Sequence, residues 1–440
     1  MIRSVLIANR GEIAVRVIRA CRDMGIRAVA VYSEADADAL HVHMADDAVC
    51  IGPPASSASY LNMANLISAA CLKSCDAIHP GVGFLSENAE FARKIEDAGL
   101  IFIGPKPETI ELVGDKVQAR NTAHKAGIPL TPGSDGPVPS FQKALETAEE
   151  IGYPIIIKAA SGGGGRGMRI VRDSSEMEQA FSIASHEANS FFADGRLYIE
   201  KYLTNPRHVE VQIISDGKGN VIHLGERDCS VQKNHQKLLE ESPSTALTAK
   251  QRDAVCKDAV KLFKRLDYRG AGTVEFLVNE GHHYFMEVNA RVQVEHPVSE
   301  LISGVDIITA QLQIASGQPF ELTQKHIDLS GYALECRINA RTPGHVTLFT
   351  PPLGPDVRVD THLFTGAHVS PYYDPLAAKI IVHADNRELG IRKMLRALRE
   401  LNIEGISTNL EQQLTILSSR VFQSGVFGTD VYEKMFQEKS

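Results

Sequence analysis

K-A-A-S-G-G-G-G-R-G-M, residues 158–168, decides how the rest of the chain is read. Four consecutive glycines give up side-chain packing and lose entropy on ordering, so they belong where backbone amides approach a ligand or where a hairpin must move. Lys158 and Arg166 flank them with positive charge, which suits an anion. The apolar runs Ile155 to Ile157 before and Met168 to Val171 after read as two strands of a hairpin folded over that anion. No G-x-x-x-x-G-K-[ST] occurs in the chain, and no G-x-G-x-x-G opens a helix here, so neither a P-loop nor a dinucleotide fingerprint applies. A surface linker is the plain alternative for the glycines alone.

Working outward, the hairpin sits in a small α+β module that opens at T-P-G-S-D-G-P-V-P-S, residues 131–140, a hinge by composition. It closes at Leu197 to Leu203. There Glu200 could accept from an adenine amino group, while backbone groups of the last residues read the base edge; an amphipathic strand leaving the module is equally consistent. Asp115 reads as an N-cap, with Lys116 behind it either reaching phosphates or lying in solvent. The first hundred residues alternate strand and helix: a strand at 4–8, a helix at 12–24, a strand at 28–32, then helices at 60–73 and 87–98 with strands at 76–78 and 100–103. Two turns, N-R-G at 9–11 and H-P-G-V-G-F-L-S-E-N at 79–88, carry polar residues to strand ends, where α/β sheets bind ligands.

Downstream, residues 208–214 and 221–224 flank a hairpin turn. Residues 226–237, E-R-D-C-S-V-Q-K-N-H-Q-K, interleave charge and amides as recognition of a small oxyanion would need. In G-T-V-E-F-L-V-N-E-G-H-H-Y-F-M-E-V-N-A-R, residues 272–291, a hairpin centred on Gly281 places Glu275 opposite Glu287, with side chains about 5 Å apart. Two such carboxylates among apolar neighbours repel unless a divalent cation lies between them. If the strand persists, period two puts Glu287, Asn289, Arg291, Gln293 and Glu295 on one face, so a hard-cation site of Glu275, Glu287 and Asn289 leads into an arginine, an amide and a third carboxylate. A second polar stripe, Glu335, Arg337 and Asn339, follows Gly331, and residues 368–401 close a compact α+β end.

The bulk properties agree with an enzyme of several domains. The chain has 440 residues, 43% hydrophobic and 23% charged, and its net charge of −8 disfavours general nucleic-acid binding. No membrane-length apolar run or signal-peptide pattern occurs, so a cytoplasmic protein is expected, with no membrane partner. Of the seven cysteines, Cys71 and Cys75 are close, but no second pair completes a metal site, and packing is the expected role.

Glycine hairpin, adenine-edge strand and two-glutamate hairpin in this order resemble the ATP-grasp fold. More closely, A-N-R-G-E-I-A, H-P-G-V-G-F-L-S-E-N, R-D-C-S-V-Q-K-N-H-Q-K, M-E-V-N-A-R-V-Q-V-E-H-P-V-S-E and E-C-R-I-N-A resemble the biotin carboxylase family over essentially the whole chain. The resemblance implies a mixed α/β and α+β chain: an N-terminal Rossmann-like domain at 1–114, an ATP-grasp domain at 115–330 with a mobile lid at about 131–203, and a C-terminal domain at 331–440. It implies that Lys116, Lys158, Gly164, Gly165, Glu200, Lys201, Tyr202, Leu203, His208 and His235 bind ATP together with Glu275 and Glu287. Glu275, Glu287 and Asn289 would hold Mg²⁺ or Mn²⁺, with two ions expected. Lys237, Arg291, Gln293 and Val294 would hold hydrogencarbonate, Glu295 would be the general base, and Arg337 would bind biotin at its ureido oxygen, with Lys237 and Arg291 also in the catalytic set.

Three departures from the family pattern stand out: Val82 where a tyrosine is usual, Lys233-Asn234 for two arginines, and a shortened loop after Ala340. No Met-Lys-Met occurs for biotin attachment, so a separate biotin carboxyl carrier protein and separate carboxyltransferase subunits are expected, in a homodimeric enzyme. Acetyl-CoA carboxylase is the expected assembly. A pyruvate or other acyl-CoA carboxylase, a different ATP-grasp ligase and a non-catalytic ATP-binding subunit are the alternatives.

Overall fold

A computed structural model describes residues 2–159, 168–192 and 195–436. The N-terminal part forms a five-stranded parallel sheet from β1 (Ser4–Ile7), β2 (Arg27–Ser33), β3 (Asp47–Gly52), β4 (Ala77–His79) and β5 (Ile101–Phe102), in the order β3-β2-β1-β4-β5. Every residue of β1 is buried, as expected for a central strand covered on both faces. Strand β3 was not foreseen; it lies at one edge of the sheet, and its burial is only partial. Asn9 ties together the two polar turns beyond the strand ends, donating from Nδ2 to the carbonyls of Pro80 at 2.8 Å and Val82 at 2.7 Å. Gly81, at φ +65°, has room for no side chain: a Cβ there would come within 2.7 Å of Asn9.

The lid sheet comprises β6 (Ile155–Ala159), β7 (Met168–Val171) and β8 (Leu197–Lys201), in the order β7-β6-β8. Lys158 pairs with Met168 across β6 and β7, so the strands flanking the glycine run do form an antiparallel hairpin. The glycines themselves, Gly164 and Gly165 included, lie outside the described residues. Val138, Ala144, Ile155, Ile157, Val171 and Leu197 belong to a hydrophobic cluster drawn from lid residues alone. A unit with its own core can shift without opening another one.

The larger sheet is antiparallel and has eight strands. It uses β9 (Arg207–Asp216), β10 (Val221–Lys233), β11 (Gln236–Ser242), β12 (Arg269–Asn279), β13 (His282–Asn289) and β14 (Tyr332–Asn339). Short strands β15 (Gly344–His345) and β16 (Leu348–Thr350) precede β17 (Val357–Thr361), and β18 (His368–Val369) precedes β19 (Leu376–Ala384). The order is β13-β12-β9-β10-β11-β14-β19-β17, so hydrogen bonding between β11 and β14 runs without a break across residue 330. The shortened loop after Ala340 is tied down, with Ala340 N–H donating to Pro375 and Arg341 N–H to Ser407. No helix among the described residues is long and apolar enough to cross a membrane. Cys75 is buried as expected, but Cys71 faces solvent on its helix, which corrects its assignment to packing.

Candidate active site

Between the lid, the eight-stranded sheet and the N-terminal turns lies a cleft of about 2000 Å³, and every described residue of the expected ATP, metal, hydrogencarbonate and biotin sets lines it. Glu275 does stand opposite Glu287. The turn is the two-residue pair Glu280-Gly281, with both φ positive, and an irregularity between Glu275 and Phe276 shifts the register by one, restoring the opposition.

Of the two opposed carboxylates, Glu275 already has partners within the chain and Glu287 does not. Glu275 takes Lys237 Nζ at 3.0 Å, Asn289 Nδ2 at 2.9 Å and Gln293 Nε2 at 3.0 Å on one oxygen, and His208 Nε2 at 3.0 Å on the other. Burial alone would raise its pKa, but Lys237 and His208 hold it well below the carboxylate range. Burial alone would lower His208, and Glu275 reverses that and raises it. The side chain of Glu287, half-buried, has no hydrogen bond or ion pair among the described residues; burial first and Glu275 second push its pKa up, while Lys116, which also lines the cleft, offsets this in part.

A divalent cation fits at this hairpin. An unpartnered carboxylate beside a second one, with an amide oxygen two residues on, is a hard oxygen donor set. Asn289 offers its Oδ1 to Arg291 at 3.0 Å, so a metal there would compete with that arginine. The tighter groups His208-Glu210-Glu275 and Glu210-Cys229-Glu295 also have metal-like spacing, but Lys237 occupies both, bonding Glu210 at 2.6 Å, Glu275 at 3.0 Å and Glu295 at 2.6 Å.

Strand β13 ends at Asn289, so Arg291 to Glu295 do not extend a strand face as expected. They reach the same cleft from an irregular segment anchored by other contacts. Arg227, fully buried on β10, donates to Gln293 Oε1 at 2.6 Å, Glu210 Oε1 at 2.7 Å, Gln212 Oε1 at 2.7 Å and Ser299 Oγ at 2.8 Å. Arg291 Nε meets Glu87 at 2.8 Å, and the Ala290 N–H meets the same carboxylate at 3.0 Å, so the N-terminal turn holds the segment's outer side. Glu295 joins two cations, Lys237 on Oε1 and Arg337 on Oε2 at 2.9 Å. Burial would raise its pKa; Lys237 and Arg337 bring it down, so it stands ionised.

Arg337 also pairs with Glu240, whose pKa burial lifts to about 7 against the pull of Arg337. Arg337 and Asn339 line the cleft as expected, but Glu335 is buried with neither carboxylate oxygen hydrogen-bonded. Arg227, Glu210, Glu240 and Glu87 escaped the sequence reading. The alternation of His208, Glu210 and Gln212 in a strand was a signal for Glu210; Glu87 meets its partner 204 residues away, beyond any local pattern.

In the lid, Glu200 accepts from Lys158 and from Arg120 at 3.0 Å, so its carboxylate already has two cationic partners. The N–H groups of Lys201 and Tyr202 are engaged by the carbonyls of Pro132 and Pro154, whereas that of Leu203 has no backbone partner among the described residues. Asn234 and His235 form a turn with φ of 50° and 63° between β10 and β11, so the asparagine in place of an arginine also suits the left-handed backbone there.

Family models agree with this architecture along the whole chain. "Biotin carboxylase, N-terminal domain" matches residues 1–110, "Carbamoyl-phosphate synthase L chain, ATP binding domain" matches 115–323, and "Biotin carboxylase C-terminal domain" matches 335–434. A biotin carboxylase of Allochromatium vinosum is 50% identical over 99% of each chain. The chain belongs to the biotin carboxylase family.

The model over 115–323 is named for carbamoyl-phosphate synthase, while the two models flanking it are named for biotin carboxylase. The chain has the mixed α/β ATP-grasp fold of this family and is an ATP-dependent ligase. A Campylobacter jejuni biotin carboxylase solved as its β-γ-ATP complex superposes with a TM-score of 0.93 at 46% identity, over 99% of each chain. The biotin carboxylase domain dimer of Hydrogenobacter thermophilus 2-oxoglutarate carboxylase, solved with MgADP, ADP and bicarbonate, gives 0.91 at 44% identity over 100% of this chain and 98% of that one.

Proposed function

We propose that this biotin carboxylase uses ATP and hydrogencarbonate to carboxylate biotin on a separate carrier protein, giving ADP, phosphate and N-carboxybiotin. The observation that carries this reading is Glu295 held between Lys237, which reaches the carboxylate hairpin, and Arg337, on a strand beyond it. One carboxylate thereby adjoins both the phosphoryl-transfer side and the acceptor side of the cleft.

ATP would occupy the cleft between the lid and the eight-stranded sheet, with Lys116 and Lys158 toward its phosphates, Glu200 to Leu203 toward its base, and His208 and His235 on the nucleotide side; Gly164 and Gly165, the other expected phosphate contacts, lie outside the described residues. Glu275, Glu287 and Asn289 would hold Mg²⁺, or Mn²⁺ in its place and two ions when both are bound, which would neutralise charge on the phosphate oxygens. Lys237, Arg291, Gln293 and Val294 hold hydrogencarbonate. Glu295 takes its proton, an oxygen of the resulting dianion attacks the γ-phosphorus, and ADP leaves as carboxyphosphate forms. Carboxyphosphate divides into CO₂ and phosphate, the phosphate takes the N1 proton of biotin, and N1 attacks CO₂. Arg337 stabilises the ureido oxygen while it carries that charge. The lid excludes water, which would otherwise intercept the intermediate.

Three functional units, 1–114, 115–330 with the lid at 131–203, and 331–440, divide these tasks, although one sheet spans the last two. Acetyl-CoA carboxylase of cytoplasmic fatty acid synthesis, with carrier and carboxyltransferase partners and a homodimeric carboxylase, is the assembly favoured. The resemblance to a 2-oxoglutarate carboxylase domain keeps a carboxylase of another acceptor as the second reading. The test is ADP release with free biotin, biotinylated carrier or ammonia as acceptor, with and without hydrogencarbonate. Hydrogencarbonate-dependent turnover with the biotinylated carrier is expected; turnover with ammonia alone would overturn the assignment.

A further inference from the structure

Lys379 is fully buried on β19, far from the surface where lysines normally lie, and its ammonium is the charge the site does not yet explain. Its Nζ donates to the backbone carbonyl of Val294 at 2.7 Å and meets Glu12 of the N-terminal helix at 3.1 Å and Asp360 at 3.8 Å. In the β14–β19 pairing Lys379 stands directly opposite Arg337, so both side chains leave one face of the sheet. Arg337 takes the Glu295 carboxylate and Lys379 takes the carbonyl one residue earlier, so two neighbouring cations clamp residues 294 and 295.

The segment needs such a clamp. Residues 290–295 belong to no strand, so their carbonyls lack ladder partners. The Gln293 carbonyl accepts from the His296 N–H at 3.3 Å and from its Nδ1 at 2.7 Å, which requires Nδ1 to carry the proton. Burial, then Lys379, holds that imidazole neutral. The next carbonyl is met by Lys379. Fixing a carbonyl fixes the plane of its peptide, and here that peptide leads into the Cα of Glu295. An apolar side chain of similar volume would avoid the desolvation of a buried ammonium, so packing does not explain the choice of lysine.

We infer that Lys379 is a positioning residue for carboxyphosphate formation: through the Val294 carbonyl it sets the hydrogencarbonate-binding backbone and the approach of Glu295, and through Glu12 it ties that setting to the N-terminal helix. The inference rests on the hydrogencarbonate reading above. It predicts a selective defect, because the nucleotide meets the lid and the carboxylate hairpin, neither of which Lys379 touches.

Lys379→Met should raise the hydrogencarbonate KM and lower kcat/KM for hydrogencarbonate by about 10- to 100-fold, while the ATP KM stays within about threefold. Removing the lysine also strands the Glu12 carboxylate, so the decisive protein is Lys379→Met with Glu12→Gln, in which that charge is gone. Recovery of the unfolding midpoint in the double variant without recovery of the hydrogencarbonate KM, together with partial rescue by Lys379→Arg, supports the inference. Recovery of both overturns it, as does an equal rise in the ATP and hydrogencarbonate KM values or failure of the charge-compensated double variant to fold. ADP release by the wild type that does not depend on hydrogencarbonate would overturn the functional reading itself, and this assignment with it.

Discussion

Glu287 and Arg337 show how one residue's surroundings determine what its loss should do. The Glu287 side chain has no hydrogen-bond or ion-pair partner among the described residues, and burial and Glu275 both disfavour its charge, so the proposed cation is what would hold it ionised. Glu287→Gln should lower phosphoryl transfer by about 100-fold or more, because a clamp on transition-state charge is weakened rather than ground-state binding alone. Unchanged turnover at saturating Mg²⁺ would remove the metal assignment. Arg337 is instead fully committed, to Glu295 at 2.9 Å and to Glu240. Arg337→Ala should depress carboxylation of the biotinylated carrier by about 100-fold or more, since in the proposed mechanism its guanidinium charge acts on the ureido oxygen mainly as N1 loses its proton. ATP affinity, measured by calorimetry on the same protein, should move little. Equal losses in binding and carboxylation would make the arginine a structural partner of its two glutamates.

At the scale of elements, the opposition of Glu275 and Glu287 was legible because a hairpin has period two and the turn Glu280-Gly281 marks its centre to within one residue. The continuation to Glu295 was not legible as a strand. Strand β13 stops at Asn289, and what brings Arg291 to Glu295 into line is Arg227 beneath and Glu87 beside them, contacts made across long stretches of sequence. Arg227 could not be distinguished from a surface arginine because nothing local says that β10 lies in mid-sheet. The hairpin flanking the glycines was legible for the opposite reason, since Ile155 to Ala159 and Met168 to Val171 are near neighbours in the chain. Because the lid packs on a core of its own, ATP should slow hydrogen exchange in these two strands as closure removes open states. Identical exchange with and without ATP would argue for a lid that does not respond to nucleotide.

The whole molecule is tied together by buried charge as much as by its sheet. Arg16 of the N-terminal helix pairs with Glu300 at 3.0 Å and Asp306 at 2.7 Å; Arg358 of β17 reaches the same Glu300 at 2.6 Å and Asp360 at 2.8 Å; Lys379 closes the chain of contacts to Glu12. Residues from all three family-model regions thus share one network around the active-site segment. Asp360 reports on it. Burial would raise its pKa, but Lys379 and Arg358 bring it to about 2, below the ordinary 3.8. A folded-state pKa depressed in this way contributes stability above the unfolded value and loses it as pH falls through the folded one, here between about 4 and 2, for a total of about 2 kcal/mol. Asp360→Asn should therefore unfold at a lower temperature than wild type at pH 6, and the gap should narrow as both are titrated from about pH 4 toward 2, where the carboxylate of the unfolded wild type takes up its proton before that of the folded one. The comparison is made as parallel thermal scans at one scan rate, since a protein of this size need not unfold in two states. A gap that stays constant down to pH 2 would mean that Asp360 acts through its shape and hydrogen bonds, with its charge contributing nothing to the joint between the domains.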